Sequence, residues 1–246
     1  MEPPADRNAF ETTHWSMIQA AGDADRSGYG DAMSALCQRY WFPLYAFARS
    51  RGHDADQAQD LIQAFFVRVL EKDVIGEATR ERGRFRNFLL AALKNFARNE
   101  YAASKALKRG GAQTFSSLDF RDAEGRLAHE VVDHLTAEAV FHQHWAMEVL
   151  QRTLTKLQEE YRGQGKETLF DELSRYLNGD KGRAPYAEVA VRLQMTTDAV
   201  KVNVHRLRRR YRWHLESEIV DTLAAPGDVE SEIHDLFEAL RNANRS

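Results

Sequence analysis

Cysteine, proline and long apolar runs are scarce in this chain of 246 residues, and each scarcity excludes a class of protein. Cys37 is the single cysteine, so an intramolecular disulfide and a cysteine-rich zinc site are excluded, and a reducing compartment is expected. No uncharged apolar stretch approaches the roughly 18 residues of a membrane span. The first residues do not have the pattern of a signal peptide. We therefore expect a cytoplasmic protein that makes no membrane contact.

Helix-forming residues are abundant. Only five prolines and 14 glycines interrupt the chain, 43% of the residues are hydrophobic, and β-branched alternation is rare. We therefore expect an all-α fold. Helical spacing predicts helices over 31–50, 53–72, 85–108, 136–161, 169–177, 186–193 and 197–217, with a last one from 228. Pro43 is expected to kink or split the first helix. The polar, acidic residues 112–135 have no strong periodicity and are expected to form a linker.

Charge is segregated along the chain although the formal net charge is only −3. Residues 80–109 contain nine basic and two acidic residues, and residues 197–213 contain six basic and one acidic. Residues 214–246 contain eight acidic residues and two arginines. Two distant basic blocks in an acidic chain indicate two contacts with a polyanion. The plainer interpretation is two solvated helix faces.

Residues 186–217 have the pattern of a helix-turn-helix. The expected buried positions fall at helical spacing, and Gln194–Thr196 forms the turn between two short helices. Met195 is expected to fill the angle, and Thr196 to cap the second helix. The buried set is Tyr186, Val189, Ala190 and Leu193 on the first helix, and Val200, Val204, Leu207 and Tyr211 on the second. An ordinary helical hairpin is the alternative.

The open face of the second helix is predicted to meet DNA. Asparagine and basic side chains can read base edges in a major groove, and clustered arginines suit phosphates. The face consists of Thr197, Lys201, Asn203, His205 and Arg206, followed by Arg208, Arg209, Arg210 and Arg212.

Residues 186–215 resemble region 4 of bacterial RNA polymerase sigma factors of the extracytoplasmic-function group, the region that binds the −35 promoter element. Residues 54–66, Asp-Ala-Asp-Gln-Ala-Gln-Asp-Leu-Ile-Gln-Ala-Phe-Phe, are similar to the region 2.2 signature. Residues 85–97 resemble regions 2.3 and 2.4, which open and read the −10 element. Residues 12–16 and 40–45 look like a divergent subgroup of this family from planctomycete-like bacteria.

The resemblance implies two small helical domains joined by a linker. These would be region 2 at 31–111, the linker at 112–135 and region 4 at 136–217, with extensions at 1–30 and 218–246. Such a factor binds core RNA polymerase at the β′ clamp and β flap, recognises and melts promoter DNA, and starts transcription. An anti-sigma factor or a Ser/Thr kinase would be a regulatory partner.

The resemblance also implies site residues in region 2. Polymerase contacts would be made by Asp56, Gln59, Asp60 and Gln63. Promoter DNA would be held by Arg82, Arg84, Arg86, Lys94, Asn95, Arg98 and Lys105, with capping of a local backbone group as the alternative for Asn95. Phe85, Phe88 and Tyr101 are candidates for base stacking, with core packing preferred for Phe88 and Phe96. Two positions depart from the family pattern: Ala64 replaces an acidic residue, and Gln194 stands at a left-handed turn where glycine is usual.

Two rival functions have different requirements. A stand-alone helix-turn-helix regulator would bind duplex DNA without polymerase, but it leaves residues 54–66 and 80–109 without a role. An enzyme would need a catalytic or metal site. The one plausible metal cluster is His129, His134, His142 and His144. Helical spacing places His134 far from His144 and directs His142 and His144 to different helix faces. No phosphate loop or nucleophile motif accompanies them. We therefore expect no catalytic residue, no metal and no cofactor.

The acidic C-terminal segment lies beyond the usual end of region 4. Val229, Ile233, Leu236, Phe237 and Leu240 fall on one face of its predicted helix. Three hypotheses compete for this helix. It packs on region 4, which we prefer; it docks on region 2 or region 4 as a built-in inhibitor; or it binds another protein.

Overall fold

A computed structural model of the chain describes residues 29–71, 84–104, 120, 123–128, 135–177, 184–220 and 229–243. These residues form nine α-helices, one short 3-10 helix and no strand, so the predicted all-α class is confirmed. None of the helices in these ranges is long and apolar enough to cross a membrane. Predictions for residues 1–28, for the loop near residue 80 and for Arg82, Lys105 and Tyr101 concern side chains outside this description.

The predicted helices occur in the expected order, with ends within a few residues of those expected, and one further short helix, α4 (Ala123–Ala128), lies within the expected linker. They are α1 Tyr29–Ser50, α2 Ala55–Glu71, α3 Phe85–Ser104, α4 Ala123–Ala128, α5 Ala137–Gly163, α6 Glu167–Leu173, the 3-10 helix Ser174–Tyr176, α7 Tyr186–Arg192, α8 Thr197–Val220 and α9 Val229–Ala243.

The chain divides into two compact units. Unit 1 contains residues 1–148 together with 219–246, and unit 2 contains residues 149–218. The divisions fall inside α5 and α8, so each of these helices contributes to both units. The sequence pattern places the limits of the second domain at residues 136 and 217. The contacts place them at 149 and 218, so the first turns of α5 belong to unit 1. The C-terminal extension also belongs to unit 1.

The first helix passes through Pro43 without a break, so of the two predicted outcomes, a kink or a split, the split is wrong. A proline inside a helix loses one backbone hydrogen bond and costs about 3 kcal/mol. Here residues 42–48 are all buried, and a helix buried on every side is stabilised by its packing rather than by its solvent-facing turns. The helix ends at Ser50, and Gly52 two residues beyond it has a φ of +91°, the left-handed conformation that glycine adopts readily.

Unit 1 is built on the packing of α1 against α2, and of α2 against α3. The helix α2 buries Ile62, Phe65, Phe66 and Val69, which recur at helical spacing along one side. A reciprocal cap begins α2. The backbone N–H of Gln57 donates to Asp54 Oδ1 (2.8 Å), and the N–H of Asp54 donates to Gln57 Oε1 (3.2 Å). This cap fixes where α2 begins and therefore which of its residues face outward.

Part of the expected linker is folded onto α1. The Tyr45 hydroxyl donates to Glu124 Oε1 (2.6 Å), and the Arg49 guanidinium donates to both oxygens of the same carboxylate (2.8 and 2.9 Å). The Arg126 guanidinium lies 3.4 Å from the ring centroid of Phe42. Phe120 packs edge-on against Trp41 with centroids 4.9 Å apart. Residues 120 and 123–128 are therefore structural, which corrects the linker prediction: their partners on α1 are about 75 positions away and leave no local periodicity.

Candidate nucleic-acid interface

Unit 2 presents a helix-turn-helix on a small dense core. Its buried residues come from the C-terminal part of α5, α6, the 3-10 helix, α7 and α8. They are Leu157, Phe170, Leu173, Tyr176, Val189, Ala190, Val200, Val204 and Leu207. The Tyr176 hydroxyl donates to the Ala184 carbonyl (2.5 Å), which satisfies the polar end of a buried ring. The predicted contacts that hold α7 and α8 together are confirmed at Val189, Ala190, Val200, Val204 and Leu207.

The turn between α7 and α8 has the expected backbone conformation, but Met195 is not buried between the two helices as expected. Gln194 has a φ of +52°, which confirms the left-handed residue, and the Thr196 Oγ1 accepts from the N–H of Ala199 (3.2 Å), which confirms the cap. Met195 is exposed, so it does not fill the angle. Its N–H donates to the Ala190 carbonyl (2.9 Å), and that bond holds the turn through the backbone instead.

The outward face of α8 exposes most of the predicted DNA contacts. Exposed side chains are Thr197, Lys201, His205, Arg206, Arg208 and Arg209. Arg208 is already bonded, since its guanidinium donates to the carbonyl oxygen of Tyr176 (3.0 and 3.3 Å). Lys201 lies 3.0 Å from the Asp198 carboxylate, one turn away, in an exposed pair that contributes little to stability. A strongly cationic surface therefore remains along α8.

Arg210, which was predicted to contact phosphate, instead pairs with Glu160 on α5. Its Nε lies 2.7 Å from Glu160 Oε2, and its guanidinium stacks 4.0 Å from the ring centroid of Trp213. His214 Nε2 contacts the same Glu160 oxygen at 2.7 Å. Partial burial would raise the pKa of Glu160, but these hydrogen bonds outweigh it and hold the pKa below its usual value. Arg210 thus ties α8 to α5, and we correct its assignment as a phosphate contact.

Asn203 also faces away from the predicted direction. Its side chain is half-buried, and its Nδ2 donates to the Ala199 carbonyl (2.9 Å) and approaches Met195 Sδ at 4.0 Å. An amide bonded one turn back along its own helix lies on the flank of α8 rather than on the open face. The sequence placed Asn203 outward because polar residues are expected there.

Two arginines of the basic block, Arg84 and Arg86, are paired with acidic residues of α9. Arg84 Nε lies 2.7 Å from Glu232 Oε2, and Arg84 also pairs with Asp235 and with the hydroxyl of Ser231 (2.8 Å). Arg86 pairs with Glu232 and lies 3.2 Å from Asp235 Oδ2. The predicted packing of the C-terminal helix on region 4 is therefore wrong. Complementary charge brings it to α3 instead.

Arg86 is a core residue rather than a DNA contact. It is 4% exposed, and its guanidinium lies 4.1 Å from the ring centroid of Trp145. Burial, with the neighbouring Arg84 charge, lowers its pKa to about 9, so it remains charged at neutral pH. Phe85 is buried against Tyr40 and cannot stack on a base, which corrects that prediction as well.

Of the remaining residues of α3 that were predicted to contact DNA, Lys94 forms an ion pair and Asn95 and Arg98 are exposed to solvent. Lys94 lies 2.5 Å from Glu138, and that contact lowers the pKa of the carboxylate. Asn95 and Arg98 are exposed. Phe88 and Phe96 are half-buried, and Phe96 packs 5.8 Å from Phe65. The described part of the basic block therefore offers a polyanion much less charge than the sequence predicts.

The predicted polymerase contacts lie on the solvent side of α2. Asp56 and Asp60 are exposed, and Gln59 and Gln63 are half-buried beside them. Ala64, at the position where the resemblance predicts an acidic residue, is exposed too. The opposite side of α2 is buried, so these residues form one acidic and polar strip available to a partner.

The histidines do not gather into a metal site within the described ranges. His144 is buried with its ring 5.1 Å from that of Phe42, and His142 is half-buried beside Phe141. Burial and nearby arginine charges lower the pKa of each to about 4. Both are therefore neutral packing residues at pH 7. His129 and His134 lie outside the described residues.

Three features of unit 2 were not predicted. Val202 on α8 and Val191 on α7 are exposed apolar side chains, 49% and 79% accessible. Glu218 is fully buried and pairs with Arg152 (3.1 Å) and Lys156. Helical spacing along α8 places Val202 on the same side as Lys201 and His205, and that spacing was the signal available in the sequence.

A scan against protein-family models, a search of curated proteins and a search of solved structures each gave no match. The function must therefore be argued from the residues and their geometry.

Proposed function

We propose that this chain is a sigma factor of the extracytoplasmic-function type, which binds core RNA polymerase and directs it to promoter DNA. The observation that supports it most is the helix-turn-helix of unit 2, whose second helix exposes Lys201, His205, Arg206 and Arg209 on one side. A rigid pair of helices with a cationic outer face suits insertion into a major groove. The exposed acidic strip of α2 supplies a separate surface for polymerase.

The second candidate is a DNA-binding regulator that acts without polymerase. One observation favours it: Glu232 and Asp235 hold Arg84 and Arg86, two of the residues needed to keep single-stranded DNA on unit 1. Run-off transcription with core polymerase on a pool of genomic promoters separates the candidates. A sigma factor yields defined transcripts and co-purifies with the core enzyme, whereas a regulator binds duplex DNA and yields none.

Charge reversal at Asp60 is expected to weaken binding to core polymerase by roughly tenfold or more, because like charges across an interface are strongly unfavourable. Asp60 is exposed on α2, so Asp60→Lys should leave the fold intact. Affinity for core polymerase is measured by titration of labelled protein. The matched control is Glu238→Lys, the same charge change at a half-exposed position of α9. Equal losses in the two variants would contradict a specific contact at Asp60.

Alanine at Arg209 is expected to weaken binding to all duplexes alike, because a phosphate contact carries no sequence information. One lost contact should also reduce the slope of log affinity against log salt by about 0.9. Arg210→Ala is the matched control. Its guanidinium is held by Glu160, so its slope should stay near the wild-type value. Both variants are measured on specific and random duplexes across a salt series; a larger change in slope for Arg210→Ala would reverse the assignment.

A further inference from the structure

Val202 lies in the middle of the outward face of α8. Residues 198, 201, 202, 205 and 209 recur at the spacing that places side chains on one side of a helix. Val202 is 49% exposed, and the charged side chains of this face surround it. Valine is a weak helix former, so helix propensity gives no reason for it at an open position.

The two residues beside Val202 are engaged with unit 2 itself. Lys201 is paired with Asp198 at 3.0 Å, and the Asn203 amide donates to the Ala199 carbonyl at 2.9 Å. The amide that would be expected to read adenine is thereby held on the flank of the helix. Val202 therefore points outward from this turn beside Lys201, with the Asn203 amide turned back to the helix.

We propose that Val202 contacts the methyl group of a thymine in the major groove, and that this contact sets part of the sequence preference of the protein. Thymine is the base that presents a methyl group there, and apolar side chains recognise it. His205, Arg206 and Arg209 on the same stretch of α8 fit phosphates on either side of the groove. Duplex DNA thus matches both the charge of the surface and its apolar centre.

This inference rests on the DNA-binding part of the proposed function and does not depend on the polymerase. The full chain, alone and with core polymerase, is used to select its preferred duplex from a random pool. Each thymine of that duplex is then replaced, one at a time, by deoxyuridine, which removes the methyl group and leaves every hydrogen-bonding group. At one position we expect a loss of roughly fourfold in affinity, the size expected for a methyl group that leaves an apolar contact.

The same substitutions are then repeated with Val202→Ala and with Val191→Ala. We expect Val202→Ala to bind the thymine and deoxyuridine duplexes equally at the sensitive position. Val191 is an exposed valine on α7, off the outward face of α8, so Val191→Ala should keep the full fourfold difference. Circular dichroism establishes that both variants remain folded, which is expected because both side chains are exposed.

Several results would overturn the proposal. The proposal is wrong if replacing thymine by deoxyuridine lowers affinity at no position of the selected duplex. It is also wrong if the fourfold difference in affinity between the thymine and deoxyuridine duplexes persists in Val202→Ala. If Val202→Ala keeps the difference but binds core polymerase more weakly, the valine is a protein contact. If no duplex is selected with or without polymerase, the proposed DNA-binding function itself fails. If DNA is selected but polymerase is not bound, the proposed sigma function fails while the contact made by Val202 is still tested.

Discussion

Replacement of Glu232 by glutamine is expected to lower the free energy of unfolding by up to about 3–5 kcal/mol, because it removes the buried counter-charge of Arg86 and leaves the half-exposed Asp235 carboxylate to balance that charge. Glu232 is 2% exposed and pairs with both Arg84 and Arg86. Arg86 is held on the ring of Trp145 and cannot move into water without opening that contact. The substitution keeps the shape of the side chain, so the loss measures charge.

Urea denaturation of the two proteins gives the comparison. Glu238→Gln is the matched control: it makes the same chemical change on the same helix, but Glu238 forms only an exposed pair with Arg241, and its loss should cost less than about 1 kcal/mol. Equal stability of wild type and Glu232→Gln would show that α9 is not held by these charges.

Truncation after Ala225 tests how the C-terminal helix is used. The truncation removes the carboxylates of Glu232 and Asp235, which pair with Arg84 and Arg86, and it also removes the buried side chain of Leu236. The melting temperature should therefore fall further than in Glu232→Gln. Promoter affinity, corrected for the folded fraction, should stay unchanged if the helix is structural. A rise in corrected affinity would instead identify α9 as an inhibitor that competes with DNA for Arg84.

Acidification from pH 6.5 to pH 4 is expected to destabilise the protein by an amount on the order of 1 to 3 kcal/mol for each of two histidines. His142 and His144 have pKa values lowered to about 4 by burial and by nearby arginines, whereas an unfolded histidine titrates near 6.5. Between these values the unfolded chain binds protons that the folded chain does not. Stability is therefore full above pH 6.5 and falls as the pH drops toward 4.

The contributions of the two histidines and of the acidic groups to stability can be distinguished because they are lost over different pH ranges. The pKa values of Glu124 and Glu138 are lowered by their basic partners, so their contribution is lost only as the pH falls below about 5. His142→Gln and His144→Gln should each flatten the stability curve between pH 6.5 and 5, measured by denaturation at half-unit intervals. His205→Gln, at an exposed position, should leave the curve unchanged. A flat wild-type curve in that interval would contradict the assignment of both histidines as buried and neutral.

Local pattern predicted the helices and the helix-turn-helix because the forces that form them act between near neighbours. The stripe of Ile62, Phe65 and Phe66 and the cap at Thr196 depend on residues three or four positions apart. The left-handed conformation of Gln194 was expected for the same reason, since the turn that requires it is only three residues long. These parts of the fold could be read directly from spacing.

The roles of Arg86, Asn203 and Pro43 could not be predicted in this way. Arg86 looks like a surface charge until Glu232 is brought to it from 146 positions away. Asn203 looks like a base reader until the rotation of α8 and its bond to Ala199 are known. Pro43 looks like a break until the burial around it is known. In each case a distant contact or a helix rotation decides, and neither leaves a trace in local composition.

The pairing of α9 with the start of α3 also sets an order of events during synthesis. Arg84 and Ser231 are separated by 147 positions, so the ribosome takes roughly 7 to 30 s to reach the second after making the first. During that interval all 70 residues of unit 2, residues 149–218, are made. Unit 1 must wait for the carboxylates of α9 before Arg86 can be buried. The segment that forms unit 2 is therefore synthesised between the two parts of unit 1 that the contacts of Arg84 and Arg86 with α9 join.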